Sequence, residues 1–90
     1  MPAMHLLIAG RVQGVGFRWF ARVSARRLEL GGWVKNRDDG TVEVAASGPQ
    51  DRLDQFRRQL SRGPDGANVE SVKDLEPLNE ELEFPFAMKR

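Results

Sequence analysis

The order of elements along this chain predicts an α+β fold: a ferredoxin-like split βαβ sandwich, with an antiparallel four- to five-stranded sheet and two helices on one face. Three observations lead there. Strand-like apolar stretches fall at 4–9, 33–36, 41–45, 69–75 and 83–88, two amphipathic helical stretches separate them, and the first six elements run strand, helix, strand, strand, helix, strand. No internal repeat or low-complexity tract interrupts this order, so residues 1–90 read as a single domain with one core.

The first strand, 4–9, is mostly bulky and apolar and ends at Gly10, where the loop Gly10-Arg11-Val12-Gln13-Gly14-Val15-Gly16 begins. Phe17, Phe20, Ala21, Ser24, Ala25 and Leu28 then recur at helical spacing with Arg22, Arg26 and Glu29 opposite, an amphipathic helix expected to end at Gly31-Gly32. Asp38-Asp39-Gly40 joins the next two strands into a hairpin. Ser47-Gly48-Pro49 reads as the capped start of a second helix, with Leu53, Phe56 and Leu60 as its buried stripe and Gly63-Pro64 as its stop. Strands at 69–75 and 83–88 follow. In the last of these Phe84, Phe86 and Met88 alternate with Pro85 and Ala87, and Pro85 points to a sheet edge.

Composition narrows the chemistry. Lys and Arg number 14 against 13 Asp and Glu, so the net charge of +1 sets up no field drawing the whole molecule to nucleic acid or membrane. Without cysteine there is no disulfide, thiolate nucleophile or thiolate metal site, and the lone histidine, His5, makes no metal centre; neither metal nor cofactor is expected. The start of the chain lacks the pattern of a secretory signal, and no apolar run approaches the ~20 residues of a membrane span, so a soluble, cytoplasmic protein is expected; a monomer is expected as well. Arg22, Arg26, Arg27, Arg57, Arg58 and Arg62 read as solvated helix faces, and residues 41–46 provide no aromatic platform for RNA. Asp38 and Asp39 read as turn formers.

The fold class hosts many activities, so the site has to decide. Glycines at 10, 14 and 16 lie between a buried strand and a helix start. Taken alone, they are explained by a tight turn; they also let backbone amides converge on an anion at the positive end of the helix, an attraction of about 0.3–1 kcal/mol, or ~2 when partly buried. No Gly-Lys-Ser/Thr follows, and no third glycine completes a dinucleotide fingerprint, which argues against bound ATP or NAD. Arg18 shifts the balance. Helix side chains tilt towards the N-terminus, so a first-turn arginine reaches back over the loop, where two donor sets share one anion. An ordinary solvated arginine is the competing reading, and Asn36 by itself is a polar residue before a turn.

The string Gly10-Arg11-Val12-Gln13-Gly14-Val15-Gly16-Phe17-Arg18 resembles the signature of the acylphosphatase family. The likeness continues through residues 25–36, Asp39-Gly40-Thr41-Val42-Glu43, Gly48-Pro49 and Gly63-Pro64. By that resemblance Arg18 matches the phosphate-binding arginine, Asn36 the water-orienting asparagine, and Gln13, Gly14, Val15, Gly16 and Phe17 the backbone phosphate cradle. The resemblance implies a metal-independent enzyme that hydrolyses small-molecule acyl phosphates, and inorganic phosphate or sulfate would occupy the same loop; it is also compatible with a domain of a larger carbamoyl-transfer protein, over which the ending at Arg90 favours a free enzyme. A non-catalytic phosphate- or metabolite-binding module of the same fold is the alternative. Two departures lie outside the motif: Trp19-Phe20 follows the arginine where relatives often carry a threonine nearby, and Arg37 stands where many carry a small hydroxyl residue. Both bear on substrate preference more than on activity.

Overall fold

The computed structural model describes residues 2–90. Five strands, β1 (Ala3–Arg11), β2 (Gly31–Asn36), β3 (Val42–Ser47), β4 (Asn68–Asp74) and β5 (Ala87–Lys89), form one sheet in the order β4-β1-β3-β2-β5. Helices α1 (Phe17–Arg27) and α2 (Gln50–Arg62) connect β1 to β2 and β3 to β4. α1 lies over β2 and β5, and α2 over β4 and β1. This is the expected split βαβ order with one strand added, and it is an α+β ferredoxin-like fold.

Period-two alternation assigns the two faces of the sheet. Leu6 and Ile8 of β1, Val34 of β2, and Val42, Val44 and Ala46 of β3 are fully buried towards the helices. Phe17, Ala21 and Ala25 of α1 meet them, as do Leu53, Phe56 and Leu60 of α2. Phe56 also packs edge-on against Phe86, ring centroids 5.6 Å apart. On the opposite face Trp33 is only 7% exposed although no helix covers it. His5 packs edge-on to its ring, the Lys35 and Lys89 ammonium groups sit 5.2 and 4.9 Å from the ring centroid, and its Nε1 donates to Glu80 Oε1 at 3.0 Å. Long charged side chains thus cover the indole while their heads stay in water. Among the described residues no helix is long and apolar enough to cross a membrane.

Four local expectations are corrected. The sheet is not wholly antiparallel, because β5 runs parallel to β2 with Val34 opposite Met88. α1 ends at Arg27 rather than at the glycine pair; Glu29 takes the left-handed turn at φ 56°, and Gly31-Gly32 already belong to β2. Those glycines answer to crowding, not helix termination: a Cβ on Gly32 would sit 1.9 Å from Ala45 O, and one on Gly31 2.8 Å from Glu83 O. Ser47 does not cap α2 but ends β3, and the N-cap position falls on Pro49, with no side-chain hydrogen bond. The strand expected over 83–88 shrinks to Ala87–Lys89, at the sheet edge that Pro85 pointed to. Pro85 has no amide to give to a ladder, so pairing begins beyond it. Phe86 alone of the alternating set is buried, while Phe84 is 67% exposed and Met88 40%.

Candidate active site

The loop after β1 hangs between two buried anchors. Val12 and Phe17 are each 1% exposed, and Val15 packs partly against the core between them. Burying these three apolar side chains turns the intervening backbone outwards. Gly14 and Gly16 make the reversals at φ 77° and 78°, and a Cβ at either would meet nothing within 4 Å. Backbone conformation rather than crowding therefore selects glycine at both positions.

Gly16 is also the N-cap of α1, and the first hydrogen bond of the helix runs from Phe20 N to Gly16 O at 3.0 Å. The amides of Phe17, Arg18 and Trp19 precede that bond and have no acceptor within the helix. The first turn contains no acidic residue, whereas Arg26 and Arg27 occupy the last turn, where cations suit the dipole. The positive end of α1 is therefore left uncompensated by the helix's own side chains, and Arg18 adds a full charge to it.

Arg18 is half-buried, and its Nη1 donates to Lys89 O at 2.9 Å. β5 thus steadies one arm of the guanidinium, which leaves the planar fork's other donors for a ligand. Further along α1, Arg26 Nε donates to Phe86 O at 2.8 Å and ties the approach to β5 onto the same helix.

Asn36 is the last residue of β2, paired with Val42. It shares the helix-side face with fully buried Val34. A cavity of about 190 Å³ is lined by Gly14, Gly16, Phe17, Arg18, Trp19 and Asn36, together with Val12 and Met88. It adjoins a larger one of about 730 Å³, in which Arg18, Asn36 and Met88 appear again beside Gln13, Arg37, Asp38, Lys89 and Arg90. Arg18 and Asn36, distant in sequence, thus face the same space in front of the uncompensated helix end. Trp19, 58% exposed, forms an apolar wall of the smaller cavity.

Not every residue of the expected cradle contributes in the same way. Val15 faces the core and lines neither cavity. The Gln13 side chain is engaged elsewhere, with Nε2 donating to Arg37 O at 2.7 Å and to Thr41 O at 2.9 Å. That bridge, the Lys89 carbonyl under Arg18 and the Met88 wall were not legible in the sequence, since each depends on segments brought together by the fold. In the turn after Asn36, Asp39 accepts from the hydroxyl and the backbone amide of Thr41. Those bonds hold the Asp39 carboxyl below the usual carboxylate range.

A separate cavity of about 620 Å³ lies between the start of β1 and residues 74–82. Its walls include Asp74, Glu80 and Glu81 and neither lysine nor arginine, so it does not suit an anion. His5 borders it with both ring nitrogens engaged, one with Glu76 O and one with Glu43 Oε2. Among the described residues no three His, Asp or Glu side chains gather as a metal site.

Comparison with known proteins gives the family. Residues 4–86 match the acylphosphatase family model. An acylphosphatase from Bacillus velezensis is 50% identical over 72 residues, covering 80% of each chain. The crystal structure of acylphosphatase from Bacillus subtilis superposes with a TM-score of 0.86 at 38% identity, covering all of both chains. An acylphosphatase structure from Coxiella burnetii gives 0.88 at 37% identity, over 97% of this chain and 90% of that one. With the family model spanning residues 4–86 and with relatives alike in sequence and in fold, the chain belongs to the acylphosphatase family of enzymes.

Proposed function

We propose that this enzyme hydrolyses the carboxyl–phosphate bond of acyl phosphates to a carboxylate and inorganic phosphate. In this reading Arg18 and the amides of the loop through Gln13, Gly14, Val15, Gly16 and Phe17 hold the phosphoryl group, and Asn36 orients the attacking water. The observation that carries it is the convergence of Arg18 and Asn36 on one cavity at the uncompensated N-terminus of α1.

The chemistry suits such a site. Phosphoryl transfer passes through a loose transition state with charge spread over the equatorial oxygens, so fixed donors and positioning supply most of the acceleration. The leaving group is a carboxylate whose conjugate acid has a pKa near ~4, and it departs at neutral pH without a proton from the enzyme. Asn36 is no base, but its amide oxygen accepts a hydrogen bond from water and fixes the line of attack. The departing carboxylate then takes the proton that the water loses. A pH–rate profile that requires an enzyme base near neutrality would count against this last step.

The enzyme so read acts on a small-molecule substrate as a monomer, without metal, and in the cytoplasm. The deciding experiment is hydrolysis of benzoyl phosphate in the presence of a chelator, with a phosphate monoester as control. Turnover of the acyl phosphate alone is expected. Binding of inorganic phosphate with no turnover of either compound would replace catalysis by simple phosphate binding.

A further inference from the structure

Gln13 stands one residue before Gly14, and Arg37 stands one residue after Asn36. Between them run the two hydrogen bonds from Gln13 Nε2, to Arg37 O at 2.7 Å and Thr41 O at 2.9 Å. Both partners are carbonyl oxygens, which only accept, so the amide nitrogen must face them and both of its protons are used. Thr41 O also accepts from Arg37 N at 2.8 Å, which closes the neck of the hairpin turn. The side chain therefore grips the two backbone carbonyls that flank the turn just beyond Asn36.

Sheet topology makes this grip consequential. β1, which leads into the loop, pairs with β3 and β4; β2, which ends at Asn36, pairs with β3 and β5. The loop and the Asn36 strand therefore come from elements that share no ladder. Gln13 supplies a direct hydrogen-bonded tie between them.

We propose that Gln13 is a positioning residue for hydrolysis: it sets the distance between the phosphate loop and Asn36, and hence the aim of the water held by Asn36. The inference rests on the roles given above to the loop and to Asn36. Hydrolysis in line at phosphorus is sensitive to such placement, and a shift of about 1 Å costs on the order of 100-fold in favourable cases. Phosphate binding depends on loop amides and Arg18, and is left largely intact when Gln13 loses its donor.

The test uses Gln13→Met, which keeps length but removes the donor, with Gln13→Leu as a second variant should the first fold poorly. Each is assayed for benzoyl phosphate turnover, competitive inhibition by inorganic phosphate, and thermal melting, alone and combined with Asn36→Ala. We expect kcat to fall about 10- to 100-fold while the phosphate inhibition constant changes less than about 2-fold. In the Asn36→Ala background the same substitution is expected to cost less than about 2-fold, because the group being aimed is gone. Full kcat in folded Gln13 variants, or an undiminished loss on top of Asn36→Ala, overturns the positioning role. Wild-type turnover by Asn36→Ala itself overturns the reading of Asn36, and the two failures are thereby told apart.

Discussion

Arg18→Lys keeps the charge and most of the length of the side chain but replaces a planar fork by a point donor. In the structure one arm of that fork is already engaged with Lys89 O at 2.9 Å, so the remaining donors are aimed while the first is anchored. A lysine ammonium can satisfy the carbonyl or a phosphoryl oxygen, but cannot reproduce the paired geometry. The loss is one charge-assisted hydrogen bond, about 1.5–3 kcal/mol. At about 1.4 kcal/mol per decade this predicts a drop in kcat/KM of about 10- to 150-fold. Arg18→Ala removes both bonds and the charge, and is expected to lose about 100- to 20,000-fold by the same reckoning. Benzoyl phosphate hydrolysis supplies the rates, inhibition by phosphate reports the ground state, and thermal melting separates folding from function. The anchor to Lys89 is exposed, so its loss lowers stability by only about 1 kcal/mol, or about 4–8 °C in a domain of this size. Turnover by folded Arg18→Lys within twofold of wild type would refute the assignment.

Gly32→Ala forces a Cβ to within 1.9 Å of Ala45 O at φ 125°, so the β2–β3 ladder must part; a loss of about 3 kcal/mol or more is expected in denaturant melts, from strain and packing together. Gly14→Ala meets open space, and its cost is limited to left-handed strain of about 1–2 kcal/mol, so the two alanines should separate clearly in the same melts. Trp19→Ala strips the apolar wall from the smaller cavity; KM should rise more for benzoyl phosphate than for acetyl phosphate, and an equal change in both would remove Trp19 from substrate contact. Asp39 is held below the usual carboxylate range by Thr41, so its contribution to stability is complete above the ordinary carboxylate pKa and disappears as pH falls through the lower folded value. Thr41→Val should move the Asp39 titration, followed by NMR, back towards the ordinary range; an unmoved titration would show that the hydroxyl is not the cause.

Much of this enzyme was legible in the sequence because its information is local. Helical spacing from Phe17, alternation around Val42 and Val44, and the turn residues Asp39-Gly40 each act through the nearest few residues, and all three elements form, although α1 stops at Arg27, short of the expected glycine pair. The glycine loop and the first-turn arginine are local in the same sense, since the tilt of helix side chains alone brings Arg18 towards the amides before it. The rest was decided by contacts between distant segments. Gly31-Gly32 resembled a helix stop until the crowding of Ala45 and Glu83 against them showed why glycine is needed within β2. The alternation of Phe84, Phe86 and Met88 promised one shared face, but the chain pairs only from Ala87 onwards, and Phe86 alone enters the core. Asn36 could have faced either side of the sheet; burial of Val34 beneath the helices is what turns it towards Arg18. Sequence alone thus determined the parts of the proposed anion site and, through a long and specific resemblance, pointed to the family. Tertiary structure decided how those parts meet, with Lys89 O steadying Arg18 and Gln13 joining the loop to the Asn36 strand, because a hydrogen bond between remote segments leaves no trace in the periodicity of either one.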